Sequence, residues 1–160
     1  MADPAKSDNH DNPMAERYPS VKAMQLLTGF KSHQPMVPGR RAFFQYRDLG
    51  VEKASGGRMR ANHIAAIAAL TESTGWHYHE CEMQFTFGLK GTLVLEFEDG
   101  TVATLNPGDA LFIPGGMRHN EIYVSSDRET IEICVPANMG TVPCERPAGL
   151  PEQLRPLQGD

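Results

Sequence analysis

The most informative part of this chain holds two short blocks, Gly75-Trp76-His77-Tyr78-His79 and Pro114-Gly115-Gly116-Met117-Arg118-His119. His77 and His79 are two residues apart, so on a β-strand their side chains point to the same face, with backbones roughly 6.5–7 Å apart. Two imidazoles at that spacing can bind one ion, and His119 offers a third nitrogen ligand. The spacing therefore predicts a metal site made of His77, His79 and His119, whereas His63, which lacks such a partner, is predicted to be a packed residue.

A glutamine, Gln84, lies between the two blocks and is a candidate fourth ligand. Its amide oxygen is neutral and binds metal more weakly than a carboxylate, so the site would favour ligands that become oxyanions. Alternatively, Gln84 only hydrogen-bonds a metal-bound water or a histidine ring. Glu80 and Glu82 are the carboxylates available if Gln84 is not a ligand. Imidazole binds Zn, Mn, Fe, Ni and Co alike, so the pattern indicates a divalent transition metal without naming it.

The composition excludes several kinds of partner. The 160 residues carry a formal net charge of -5 with only 15 Lys and Arg, which argues against nucleic acid or an anionic membrane and leaves small molecules or protein surfaces. Three cysteines without a Cys-x-x-Cys spacing, and an N-terminus without a charged segment leading into an apolar one, predict a reducing, cytoplasmic location. No apolar run approaches the roughly 20 residues of a membrane-spanning helix.

The middle of the chain breaks into short β-like runs separated by turn residues, which predicts an all-β sandwich or barrel. Asp99-Gly100 is typical of a hairpin, and Asn106-Pro107-Gly108-Asp109 of a second tight turn, so consecutive strands are expected to be antiparallel. The predicted strands cover Phe43–Tyr46, Arg58–Ala69, Gly75–His79, Met83–Leu89, Thr92–Glu98, Thr101–Leu105, Ala110–Ile113, Asn120–Val124 and Thr130–Val135.

The ends of the chain differ from this middle part in composition. Residues 1–41 are predicted to form a partly disordered N-terminal arm, mobile over Met1–Ser20, with a short helix at Val21–Leu27 and a loop at Lys31–Gly39. Residues 42–137 are predicted to form the barrel. Four prolines exclude long regular elements from the C-terminal tail, residues 138–160, which is expected to cover the domain or a neighbouring molecule.

Three residues are candidates for catalysis. Cys81 is two residues after His79, so its thiol would point to the same face and reach the metal if the strand continues that far. A nearby cation would make the Cys81 thiolate more available. Glu132 alternates with Ile131 and Ile133 on the last strand; the isoleucines are the simpler core set, but the opposite parity would make Glu132 a buried acid suited to proton transfer. Tyr123 could donate a proton or cover the barrel rim.

Three arginines are candidates for binding an anionic group of a substrate. A guanidinium binds phosphate or carboxylate through two parallel hydrogen bonds, and Arg58, Arg60 and Arg118 would lie near the mouth of the barrel. Arg118 is the preferred candidate because it is adjacent to His119.

The two blocks together resemble the cupin family. In the first block His77, His79, Gln84 and Gly91 match the family pattern, and in the second Gly108, Pro114, Gly116 and His119 match it at the right spacing. Thr71, Tyr123 and Gln84 depart from it, standing where glycine, asparagine and glutamate are usual. Over roughly Phe43–Pro136 the resemblance implies an antiparallel jelly-roll β-barrel with the metal inside, and it also implies a homodimer or larger homo-oligomer.

The resemblance implies three functions. Runs such as Tyr46–Val51 and Ile131–Ala137 are similar to a group of bacterial single-domain cupins with which we associate the manganese-dependent methylthioxylulose-phosphate methylsulfurylase of sulfur (methionine) salvage. There the metal, Mn by preference, would stabilise an enediolate while the Cys81 thiolate attacks the methylthio sulfur, giving 1-deoxyxylulose 5-phosphate, with glutathione or another thiol as co-substrate. The alternatives are an Fe or Mn dioxygenase of a diketone or flavonol-like substrate, and a non-catalytic small-molecule binding or sensing module.

Overall fold

The structure of the protein, a computed structural model, describes residues 12–70, 72–150 and 155–157. Its helices are short: 3₁₀ turns at Pro19–Ala23 and Lys31–His33, and α1 at Val51–Ala54. The rest of the regular structure is β-strand. The strands are β1 (Val37–Pro38), β2 (Phe44–Asp48), β3 (Arg60–Ala66), β4 (His77–Glu80), β5 (Met83–Lys90), β6 (Leu93–Phe97), β7 (Thr101–Leu105), β8 (Ala110–Pro114), β9 (His119–Val124), β10 (Glu129–Val135), β11 (Gly140–Pro143) and β12 (Arg155–Leu157).

These strands form two six-stranded sheets that face each other. The first sheet has the order β1-β2-β3-β10-β5-β8 and the second the order β11-β4-β9-β6-β7-β12. Neighbouring strands are antiparallel except for the parallel pair of β12 and β7. The chain passes from one sheet to the other between β3 and β4, β4 and β5, and β5 and β6. This is the jelly-roll barrel that the resemblance to the cupin family implies.

All nine predicted runs form strands, with ends shifted by a few residues at most. The predicted hairpin is present between β6 and β7, where Gly100 adopts a φ of 80° that favours glycine. The expectation fails at the second turn, since β7 and β8 belong to different sheets and do not pair. A tight turn between two apolar runs can therefore join strands of different sheets, as it does here, instead of forming a hairpin.

The segments on either side of residues 42–137 also join the barrel. Residues Val37 and Pro38 of β1 pair with β2, and β11 pairs with β4 at the edge of the second sheet. The helix predicted at Val21–Leu27 is a 3₁₀ turn that ends at Ala23. Predictions for residues 1–11, for Thr71 and for parts of the tail (151–154 and 158–160) fall outside the described residues. Among the described helices, none has the length and apolar content that crossing a bilayer requires.

An apolar core lies between the sheets and reaches the histidine cluster at Phe97, whose ring centroid is 6.0 Å from that of His119. It consists of nine buried side chains, with Leu95, Phe97 and Ala103 each 3% exposed. Because these residues alternate along their strands with more exposed ones, each strand contributes one face to the core. The full cluster is Phe44, Ile64, Leu93, Leu95, Phe97, Ala103, Leu105, Ile113 and Val124.

Candidate metal centre

Two neighbouring strands of the second sheet bring the three predicted histidines together. His77 and His79 lie on β4, and His77 is directly opposite His119 on β9. Each histidine offers one nitrogen, and these nitrogens all lie within 4.8 Å of one another. The three side chains are almost fully buried, at 3%, 5% and 2% exposure. The backbone register therefore places three imidazoles around one point.

Hydrogen bonds at Nδ1 fix the tautomer of these rings. His77 Nδ1 donates to the Gly75 carbonyl at 2.8 Å, and His119 Nδ1 donates to the Met117 carbonyl at 2.9 Å. His79 Nδ1 lies 3.0 Å from the Thr141 hydroxyl and 3.4 Å from the Gly140 carbonyl. A ring that donates from Nδ1 keeps a lone pair at Nε2, which is the arrangement that orients a histidine as a metal ligand.

Burial keeps all three imidazoles neutral. It is the largest cause that lowers the pKa of His77 and of His119 below the usual value. For His79, burial together with the nearby rings of His119 and His77 lowers the pKa to about 3. Neutral imidazole is the form that binds a metal, so the lowered pKa values favour the form of the three rings that coordinates.

The turn between β8 and β9 holds the second histidine block against the first. The Gly115 amide donates to the Glu82 carbonyl and the Gly116 amide to the His79 carbonyl, at 2.9 and 3.0 Å. A Cβ at Gly115 would overlap the backbone of Cys81, so only glycine allows this close approach. The glycines of the second block therefore position Met117 and His119 beside β4.

Gln84 faces the same space from β5 in the first sheet. Its Nε2 donates to Glu132 Oε2 at 2.8 Å, while its buried Oε1 has no hydrogen-bond partner in the described part of the chain. With the Gln84 nitrogen donating to Glu132, the amide oxygen is left without a partner. Buried polar atoms without a partner are uncommon, and an amide oxygen is a suitable ligand for a cation. The residues present thus fit a divalent metal ion held by three neutral nitrogens and one neutral oxygen.

Glu132 lies inside the barrel, on the inner face of β10. The simpler interpretation of this strand, with Ile131 and Ile133 inside, is wrong, because Thr130 and Glu132 line the interior cavity and Cys134 is fully buried. Burial is the main cause that raises the pKa of the Glu132 carboxyl. Arg60 Nη2 lies 3.9 Å from Glu132 Oε1, so the acid has a cation beside it as well as the Gln84 amide.

His79, His119, Gln84 and Glu132 open onto one cavity of about 410 Å³, whereas His77 does not line it. Four arginines (Arg40, Arg41, Arg60 and Arg128) and two glutamates (Glu121 and Glu132) carry its formal charges. Only Arg60 and Glu132 were candidates from the sequence. The other three arginines were not identifiable by spacing, since Arg40 and Arg41 precede β2 and Arg128 precedes β10 outside the strand pattern. Glu121 was also missed, although it lies on the predicted strand Asn120–Val124.

The remaining candidates lie away from this cavity. β4 ends at Glu80, so the strand alternation that would point Cys81 inward stops before this residue. Burial and the charge of Glu132 raise the pKa of the Cys81 thiol. The Tyr123 side chain is 47% exposed on β9, and Arg58 is exposed in the loop before β3. Arg118 forms an ion pair with Glu98 at 2.7 Å. None of these four lines the cavity.

Comparison with known proteins agrees with this architecture. Residues 65–135 match the model of the cupin domain family. This segment resembles a cupin domain. A curated relative, the uncharacterized protein YdbB of Bacillus subtilis (strain 168), is 32% identical over 75 residues, which cover 46% of this chain and 63% of the length of YdbB.

Solved structures show the same fold at low identity. KdgF from Halomonas sp. superposes with a TM-score of 0.59 and 18% identity, covering 71% of this chain and 96% of KdgF. The polyketide cyclase RemF from Streptomyces resistomycificus gives a TM-score of 0.54 and 20% identity, covering 80% of this chain and 89% of RemF. At these identities the likeness concerns the cupin fold alone, and the chemistry has to be argued from the residues of this cavity.

Proposed function

We propose that this protein is a metal-dependent cupin enzyme that moves protons on a small oxygenated metabolite bound in its barrel. The observation that carries the proposal is the position of Glu132, a carboxylate only 15% exposed, in the cavity that His79 and His119 line and in contact with Gln84. A cavity of about 410 Å³ is the size of a site for a small molecule. RemF, described as a polyketide cyclase, is a precedent for catalysis on this fold.

His77, His79, His119 and Gln84 are the residues that would hold the metal. A divalent metal bound there would act as a Lewis acid that polarises a carbonyl or hydroxyl oxygen of the substrate. The four ligands are neutral, so they would leave the charge of the ion available to a developing oxyanion.

Glu132 would then accept or return a proton at a carbon next to the polarised group. Its Oε2 is occupied by the Gln84 amide, whereas its Oε1 is 3.9 Å from Arg60, beyond hydrogen-bond distance, and is the atom available to the substrate. The contact with Gln84 holds the Glu132 carboxylate in one orientation, beside the residues that would bind the metal. The first sheet thereby supplies the proton-transfer group for a metal held mainly by the second sheet.

The test has two parts, metal content and reaction class. Elemental analysis of the purified protein should find close to one equivalent of a divalent transition metal. A panel of small hydroxyketones and their phosphate esters should then exchange the hydrogen next to the carbonyl in D₂O, as followed by NMR, in the presence of that metal. Absence of a bound metal would overturn the proposal. Oxygen consumption by the Fe(II)-loaded protein with β-dicarbonyl compounds, without exchange, would favour the dioxygenase.

The methylsulfurylase is a narrower form of the proposal that also requires a thiolate. The position of Cys81 beyond the end of β4, outside the cavity lining, gives this form less support than proton transfer at Glu132. The methylsulfurylase would be supported by release of 1-deoxyxylulose 5-phosphate from the methylthio sugar. This release should depend on glutathione or another thiol and should be lost in Cys81→Ser. Full thiol-dependent turnover by Cys81→Ser would remove Cys81 as the nucleophile.

Manganese and a homodimer are further parts of the proposal. Activity restored to metal-free protein by Mn²⁺ in preference to Fe²⁺, Ni²⁺, Co²⁺ and Zn²⁺ would support the first. Light scattering of the purified protein would test the second, and a species of 17.6 kDa alone would contradict it.

A further inference from the structure

The side chains that line the cavity carry more positive than negative formal charge. Four arginines line it against two glutamates, and the four candidate metal ligands are all neutral. A bound divalent ion would add to this excess. Charges in a confined, poorly solvated space interact strongly, so a bound molecule with a negative group would compensate the excess.

Three of the four arginines already have partners. Arg41 donates to the Thr74 carbonyl and lies 3.6 Å from Glu121, and Arg60 lies 3.9 Å from Glu132. Arg128, which is 1% exposed, donates from Nη1 to the carbonyls of Gly91 and Leu105 at 3.1 and 3.2 Å. These three guanidinium groups are therefore held in place by the protein.

Arg40 is the exception. Within the described ranges it makes no hydrogen bond or ion pair, although it lines the cavity. Burial of its guanidinium and the neighbouring charge of Arg41 lower the Arg40 pKa, while Tyr46, Glu121 and Glu132 oppose that shift. The same groups line the cavity near the candidate metal centre. Arg40 is thus an exposed cation in the cavity lining that has no anion paired with it.

The backbone beside Arg40 is held against the cavity wall. A Cβ at Gly39 would overlap the ring of Tyr46, so the chain passes directly over this ring. Tyr46 belongs to β2 of the first sheet, whose inner face also carries Arg60 and Glu132. The contact between Gly39 and Tyr46 places Arg40 over the cavity.

We infer that Arg40 binds an anionic oxygen group, phosphate or carboxylate, on the substrate whose oxygenated end lies at the metal centre. This rests on the proposed function and names its substrate class: an anionic hydroxyketone or a related metabolite. A guanidinium with no partner can bind such a group through two hydrogen bonds. Arg40 then acts as a specificity residue, while proton transfer stays with Glu132.

Calorimetric titration of the metal-loaded protein tests this inference with three probes that share a hydroxyketone end. Hydroxyacetone is neutral, dihydroxyacetone phosphate carries a phosphate, and 5-hydroxylevulinate carries a carboxylate. In the wild type, one or both charged probes should bind roughly 10- to 100-fold more tightly than hydroxyacetone, which is the range for charge-assisted hydrogen bonds. The charged probe that binds more tightly identifies the anionic group.

Arg40→Gln should remove this preference and leave the binding of hydroxyacetone unchanged. Arg146→Gln is the matched control, because Arg146 is exposed and does not line the cavity, and it should keep the preference. Equal binding of all three probes by the wild type, no binding of any of them, or a preference that survives in Arg40→Gln would overturn the inference.

The two proposals fail in different ways. If elemental analysis finds no metal, the proposed function fails, and the anion site is then tested on the metal-free protein with inorganic phosphate. Weaker phosphate binding in Arg40→Gln than in Arg146→Gln would keep the anion site, and equal binding would overturn it.

Discussion

The inner faces of the two sheets differ in chemistry although they enclose one cavity. The second sheet presents three neutral, buried histidines and then apolar side chains such as Leu95 and Phe97. The first sheet adds polar and charged groups to apolar core residues such as Ile64 and Ile113: Asn62, Glu132 and Thr86 lie side by side across β3, β10 and β5, with Arg60 and Gln84 one step along the same strands. The second sheet is therefore suited to holding a metal, and the first to handling protons and charge.

This difference follows from the cost of burying charge. Imidazole can give up its proton and enter the interior neutral, as the lowered pKa values of the three histidines indicate. A guanidinium cannot, and a carboxylate that is to act as a base must be ionised, so both require partners. The first sheet supplies them as the contacts of Glu132 with Gln84 and Arg60.

The largest expected effect comes from removing a histidine of the second sheet. His79→Ala should lower metal affinity by more than about 100-fold, because loss of a ligand costs at least as much as loss of a group that only orients one. Elemental analysis after dialysis measures this. The control is His63→Ala: His63 bonds to Arg47 and Glu129 in a separate cluster on the first sheet. Equal metal contents in the two variants would contradict the three-histidine site.

The second largest effect is expected at Glu132 and distinguishes the role of the first sheet from that of the second. Glu132→Gln should lower the rate constant of proton exchange by roughly 10²- to 10⁴-fold while metal content stays the same, since a positioned general acid or base contributes that much. Glu129→Gln, on the same strand but paired with Lys90 and His63, is the control and should retain the rate. A Glu132→Gln variant that keeps its rate would remove the first sheet from proton transfer.

Sequence patterns predicted most of the fold because strands leave local signals. Alternation in Leu93–Phe97 and the turn at Asp99-Gly100 depend only on residues near one another, and both the strand and the hairpin are present. The His-x-His spacing is equally local. The candidate site could be located from the sequence for the same reason.

Alternation alone did not predict which residues of β10 face the barrel interior. The rule that apolar residues face inward assumes a dry interior, but here polar and charged side chains line a cavity beside the apolar core, and Ile131 and Ile133 keep intermediate exposure on the outer face of a central strand. The contact of Thr141 with His79 was likewise missed, since it joins residues 62 positions apart through the pairing of β11 with β4. Patterns within one strand contain no information about such pairs.

A smaller effect is expected at the residue that joins the two faces. Gln84→Glu should slow metal dissociation several-fold, because a carboxylate is the stronger ligand for a cation. The gain is limited, since the new carboxylate would lie beside Glu132, at a position where the Gln84 amide now approaches it to 2.8 Å. Metal release to a chelator, followed over time, measures the rate. Unchanged or faster release would count against direct coordination by Gln84.

The smallest effect is expected outside both faces, at Arg118. The sequence suggested this residue for substrate binding because it adjoins His119, but its Nε donates to Glu98 Oε2 at 2.7 Å on the surface. The Arg118 amide also donates to Glu98 Oε1 at 3.0 Å, and this bond does not depend on the side chain. Arg118→Gln should therefore cost about 0–1 kcal/mol of unfolding free energy in urea, as exposed ion pairs do, with KM unchanged. A raised KM in Arg118→Gln would instead place Arg118 at the substrate, and the mouth of the cavity would have to extend across the β8–β9 turn.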